Sequence, residues 1–130
     1  MIVVEPSAIV AILQEEPEAR RFYDVIENET CVVSAVTVYE AAIVLNARRG
    51  PQGVANLFEF IEASGLEVQP FTAEMISIAT AAYQRFGKGT HADAQLNFGD
   101  CVSYALARSL DAPLLFKGDD FAATDIRAAV

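Results

Sequence analysis

Cysteine and histidine are nearly absent from this chain of 130 residues. Cys31 and Cys101 both sit in apolar sequence, are too few for a disulfide framework, and match no zinc spacing with histidine. They read as two buried thiols of a protein kept in a reducing compartment. The lone histidine, His91, stands in no triad-like pattern, which argues against a serine nucleophile. No apolar run approaches the roughly 20 residues needed to span a bilayer. The N-terminus has no basic stretch and no small-residue cleavage site, so no signal peptide is expected and a cytoplasmic location is. No repeat, low-complexity segment or inter-domain linker is visible. Positive charge is also short, with Lys and Arg totalling 9 against 18 Asp and Glu, a net charge of -9. That balance works against a sequence-independent coat on nucleic acid. It leaves room for a nuclease, because acidic metal ligands add negative charge that bound cations offset.

What the chain does have is apolar residues, at 53% of the sequence with a mean hydropathy of +0.29. A disordered chain is excluded, and one domain over residues 1–130 with a sizeable core is expected. Short apolar runs alternate with helical periodicity. Strands are expected at 3–4, 31–34, 66–68 and 114–116, with a short edge strand at 124–126. Helices are expected over 7–13, from Pro17 through Ile26, over 37–47, over 52–63, from Thr72 to Phe86 and from Phe98 to about Leu110. Gly50-Pro51 separates the third helix from the fourth. Residues 87–96 form a polar loop. Phe22, Ile26, Leu45, Leu57, Phe58 and Ile61 are mostly core, some of them available to a partner helix. Strand–helix alternation gives an α/β fold, a mostly parallel sheet of four to five strands with helices on both faces. Such sheets bind ligands beyond the carboxyl ends of their strands.

Four acids fall at or near the ends of apolar runs. Glu5 follows Ile2-Val3-Val4, and Glu40 follows the second strand and the first turn of a helix. Asp100 opens the last helix, and Asp119 follows Leu114-Leu115-Phe116. Taken singly, each has an ordinary reading. Glu5 and Asp100 would be helix-start acids favoured by the dipole, Glu40 a solvated helix residue, and Asp119 a turn former beside Gly118. Taken together, carboxylates converging on one sheet edge repel each other, and a divalent cation relieves that repulsion. Asp120 rivals Asp119 for the fourth place. Ser7, Arg85, Lys88, His91 and Lys117 are candidate substrate contacts. Ser7 would support an acid or a water, and the basic residues would meet phosphates.

The blocks Ile2–Leu13, Val33–Glu40, Leu96–Cys101 and Leu114–Phe121 with Thr124-Asp125-Ile126 resemble a PIN domain. The closest likeness is to the VapC-type toxin ribonucleases of bacterial toxin–antitoxin pairs, over nearly the whole chain. The resemblance implies acids at Glu5, Glu40, Asp100 and Asp119 that hold one or two Mg²⁺ or Mn²⁺ ions and hydrolyse RNA phosphodiesters. It also implies a homodimer, an antitoxin that inserts a segment into the active site, and operator DNA bound through that antitoxin. One position departs from the pattern. The family carries Asp at the first acid, and this chain carries Glu5-Pro6-Ser7. Glu is one methylene longer, and Mg²⁺ demands near-octahedral geometry. The alternative reading is therefore a weakened PIN domain that keeps antitoxin binding. A phosphoryl-transfer domain ranks below both, because it needs an aspartate nucleophile at a strand end and leaves Asp100 without a role.

Overall fold

The computed structural model describes residues 1–90 and 93–130. His91 lies outside the described residues, so its expected role is not located. Strand β1 (Ile2–Val4) leads into helix α1 (Pro6–Leu13), and α2 (Ala19–Asn28) leads into β2 (Cys31–Ser34). Helix α3 (Ala35–Ser64) runs to β3 (Glu67–Gln69). Helices α4 (Ala73–Phe86) and α5 (Phe98–Leu110) precede β4 (Leu114–Leu115). The sheet order is β3-β2-β1-β4, with every pair parallel.

Alternation along each strand builds two cores. Val3, Val32 and Leu114 face α4 and α5, packing against Phe86, Tyr104 and Leu106. Ile2, Val4, Val33 and Leu115 face the opposite way, onto α1 to α3, against Ile9, Phe22, Leu45 and Leu57. Apolar residues on both sheet faces are what a parallel sheet covered by helices requires. The helices after β1 and β2 lie on one side, and those leading to β4 lie on the other. The connection therefore changes sides beside β1, where ligand crevices of such sheets open. Glu5 follows β1 directly.

Two expectations change. The two helices expected on either side of Gly50 follow one another without a loop, kinked at Gly50, whose φ of 64° and ψ of -155° are non-helical. Glycine reaches that conformation without a Cβ penalty, and Pro51 starts the next segment with a fixed φ that suits a helix N-terminus. The expected edge strand at 124–126 is absent; those residues sit in turn and loop backbone. The chain returns to the sheet only at Ala128, as a single bridge to Leu114. Thr124 helps to hold the turn by accepting from the Ile126 N–H at 3.2 Å. Of the six apolar helix residues, Phe22, Ile26, Leu45 and Leu57 are buried, and Phe58, at 56% exposure, is left outside the core.

Candidate active site

The carboxyl ends of β1 and β4 and the starts of α1 and α5 enclose a cavity of about 300 Å³. Glu5, Glu40, Asp100 and Asp120 line it, together with Ser7, Glu16, Arg48, Asn97 and Lys117. Asp119 does not line it, although it was the sequence choice; its neighbour Asp120 does. Both are exposed in the turn after β4, where adjacent side chains point in different directions.

Each acid is positioned by local structure. Glu5 is the N-cap of α1 and buried, at 5% exposure. The Ser7 backbone N–H donates to Glu5 Oε2 at 2.8 Å, and the Ser7 hydroxyl donates to the same oxygen. Ser7 Oγ in turn accepts from the Lys117 backbone N–H at 2.9 Å. Ser7 thus ties the first acid to the exit of β4. Pro6, inside the first turn, has no N–H to satisfy there. Asp100 is held by a reciprocal cap. Its N–H donates to Asn97 Oδ1 at 2.9 Å, while Asp100 Oδ2 accepts from the Asn97 N–H at 3.0 Å. This is a capping box with Asp at the third position.

Glu40 arrives from α3 and rests against Gly99. A Cβ at Gly99 would stand 1.6 Å from Glu40 Oε1, so no other residue fits there without moving the acid. One helical turn away from both acids, Thr37 Oγ1 and Ser103 Oγ lie 3.2 Å apart, both buried. That contact fixes α3 against α5.

Burial and mutual repulsion raise the affinity of these acids for protons. Desolvation pushes Glu5 up from 4.5 to about 8, opposed by the Ser7 hydroxyl and aided by the Asp100 charge. Glu40 is raised by burial and then by Asp100. Asp100 is raised chiefly by burial, and its hydrogen bonds with Asn97 and Glu5 hold it down. Burial and the nearby Asp100 charge thus favour protonation of Glu5. Carboxylates in this condition gain from a bound cation, and their oxygens are the hard donors that Mg²⁺ and Mn²⁺ prefer. Among the described residues no group of three or more acidic, His or Cys side chains is set to cage an ion. The donor set fits an ion that takes one or two carboxylates and keeps several waters, as Mg²⁺ does.

The basic candidates separate. The Lys117 ammonium is at the cavity, bound to Glu16 Oε1 at 2.6 Å and 3.4 Å from Glu18 Oε1. Arg85 is directed elsewhere. It and Arg108 each lie 3.7 Å from Asp125 Oδ2, and the Arg85 guanidinium stacks on Phe86. Lys88 lines a neighbouring apolar groove with Phe71, Ile76, Tyr83 and Phe98. Glu16, Arg48 and Asn97 line the cavity without having been singled out from the sequence as site residues. Asn97 carried a readable signal, the Asn-x-x-Asp pattern opening a helix. Glu16 and Arg48 carried none, because only folding brings them to Lys117.

Comparison with known proteins gives concordant results. The family model described as PIN domain matches residues 2–127. Ribonuclease VapC28 of Mycobacterium tuberculosis is 42% identical over 130 residues, covering 99% of this chain and 98% of that protein. The crystal structure of Mycobacterium tuberculosis VapC20, described as a Sarcin-Ricin loop cleaving toxin, superposes with a TM-score of 0.78. It does so at 18% identity over 97% of this chain and 96% of that one. VapBC2 from Rickettsia felis, solved bound to a DNA fragment from its promoter, gives 0.76 at 16% identity over 98% and 96%.

Proposed function

We propose, since the chain belongs to the PIN-domain family and within it to the VapC type, that it is an endoribonuclease toxin using Mg²⁺ or Mn²⁺ and silenced by a protein antitoxin. The observation that carries the reading is the convergence of Glu5, Glu40, Asp100 and Asp120 on one cavity at the sheet's carboxyl edge. Glu5 and Asp100 would hold the ion directly, while Glu40 and Asp120 would act from the same cavity through its waters. The bound cation supplies an activated water and offsets charge on the phosphate.

The chain's own residues do the rest. Ser7 places both of its bonds on Glu5 Oε2 and so fixes the carboxylate beside Asp100. Asn97 holds Asp100 by backbone bonds that survive deprotonation. Gly99 lets Glu40 approach the start of α5, whose positive end favours a carboxylate. Lys117 meets the substrate at the rim. A homodimer is part of the proposal, and operator DNA is assigned to the antitoxin rather than to this acidic chain.

Glu5 favours a second reading strongly enough to require a test. Its extra methylene is accommodated by the Ser7 cap, so the question is whether the carboxylate still meets the ion. The test is cleavage of a broad RNA pool by antitoxin-free protein with Mg²⁺ or Mn²⁺, beside EDTA, Glu5→Asp and Asp100→Asn. Cutting that EDTA and Asp100→Asn abolish establishes the nuclease with Glu5 as a working ligand. Cutting by Glu5→Asp alone identifies a weakened toxin that retains its antitoxin-binding role. No cutting by either overturns the proposal.

A further inference from the structure

The cavity that would receive a polyanion is lined by carboxylates, and among the described residues only Arg48 and Lys117 bring positive charge to it. Both cations are already engaged by one acid. Glu16 Oε1 lies 2.6 Å from Lys117 Nζ, and Glu16 Oε2 lies 3.9 Å from Arg48 Nη1. The three residues come from the turn after α1, the end of the first segment of α3 before its Gly50 kink, and the residues after β4. Only the fold brings them together, over the mouth of the acid site.

We infer that Arg48 and Lys117 are the substrate-phosphate grip of this enzyme, and that Glu16 is an internal anion occupying the grip until an RNA phosphate displaces it. The inference rests on the ribonuclease reading and deepens it. Its physical basis is the contrast between the two contacts. The Arg48 side chain is 53% exposed and its approach of 3.9 Å is too long for a hydrogen bond. An exposed pair of that kind contributes little to stability, so structure alone does not account for an arginine held there. A guanidinium makes two parallel bonds to a phosphate and is more weakly hydrated than an ammonium, so exchanging Glu16 for phosphate strengthens its contact. Lys117 is held more closely and can turn from Glu16 while Glu18 still screens it. Such a site grips the backbone without reading sequence.

The test compares wild type with Arg48→Ala, Arg48→Lys and Glu16→Gln, each first checked for an unchanged melting temperature. Two quantities are read: KM and kcat on a single-stranded RNA, and anisotropy binding of a labelled single-stranded RNA in Ca²⁺ at several salt concentrations. The expected result is a KM about 10-fold higher for Arg48→Ala at nearly unchanged kcat, the loss of one charge-assisted contact. The salt slope should fall by roughly 0.7. Arg48→Lys should restore part of the affinity, and Glu16→Gln should bind RNA more tightly than wild type. An unchanged KM and salt slope in Arg48→Ala, or weaker binding in Glu16→Gln, would overturn the inference. If wild type cuts no RNA, the ribonuclease reading fails separately, and the binding measurements still decide whether Arg48 and Glu16 act on a polyanion as stated. Should Arg48→Ala melt early, Arg48→Lys and Glu16→Gln decide the matter, since both keep an aliphatic stem at the substituted position.

Discussion

Asp119 and Asp120 are adjacent, exposed and chemically identical, yet only Asp120 lines the cavity. Side chains one residue apart in a turn point in different directions, so composition has no means of choosing between them. Asp120→Asn is expected to lower kcat by at least about 10-fold, a loss of roughly 1.4 kcal/mol of transition-state stabilisation. Asp119→Asn should stay within about twofold, as a surface change away from the site. Equal effects in a cleavage assay would return the fourth place to the pair as a whole. Gly99 makes the complementary case. Its missing Cβ is a space already filled by Glu40 Oε1. Gly99→Ala is favoured by helix propensity, by up to about 1 kcal/mol, yet it must push Glu40 out of place. The expected outcome is a folded protein with activity reduced at least as far as in Glu40→Gln. A fully active Gly99→Ala would mean that the position of Glu40 is unimportant.

At the scale of elements, the site is a set of helix starts. Glu5 caps α1, Asp100 closes the capping box of α5, and Ser34 Oγ accepts from the Val36 N–H at 3.2 Å at the start of α3. Groups that satisfy orphan backbone donors thereby fix carboxylates in space, and the same residues serve stability and chemistry. Asn97→Ala should cost about 1 kcal/mol of stability, the usual value for an N-cap, measured by urea denaturation. It should also weaken metal binding, measured by Mn²⁺ titration, because losing the Asn97 Oδ1 acceptor loosens the helix turn that carries Asp100 while the Asn97 backbone N–H still donates to its carboxylate. Asn97→Asp should recover the stability and not the metal affinity, because the carboxylate added at the cap repels its neighbour. A metal affinity untouched in Asn97→Ala would show that the box serves the helix alone. The helices themselves were legible from periodicity and breakers, including the interruption at Gly50-Pro51. The continuation of α3 across that point was not, because Gly50 adopts a positive φ that keeps the two segments in register without a loop.

Over the whole molecule, a net charge of -9 and a pocket of repelling acids make the metal-free fold sensitive to pH. The folded-state pKa of Glu5 is raised from 4.5 to about 8, so its contribution is fully present below 4.5 and is lost as pH rises to about 8. Glu40 and Asp100 shift in the same direction. In EDTA the melting temperature should therefore fall across that window, by an amount on the order of a few kcal/mol in stability. Mn²⁺ should restore it more at pH 8 than at pH 5, because fewer protons compete with the cation for these carboxylates at higher pH. A melting temperature flat with pH, or a metal effect equal at both ends, would contradict the coupling of these acids. By itself the sequence determined the α/β class, the four strands, most helix limits and three of the four acids at the cavity. Local rules govern those features: period-two and period-3.6 burial, turn residues and helix starts. Tertiary structure alone decided that Asp120 rather than Asp119 faces the cavity, that Arg85 pairs with Asp125, that Lys88 lines an apolar groove, and that Glu16 joins Arg48 to Lys117. Those outcomes depend on where distant segments meet and which way an exposed side chain turns, and no local pattern encodes either.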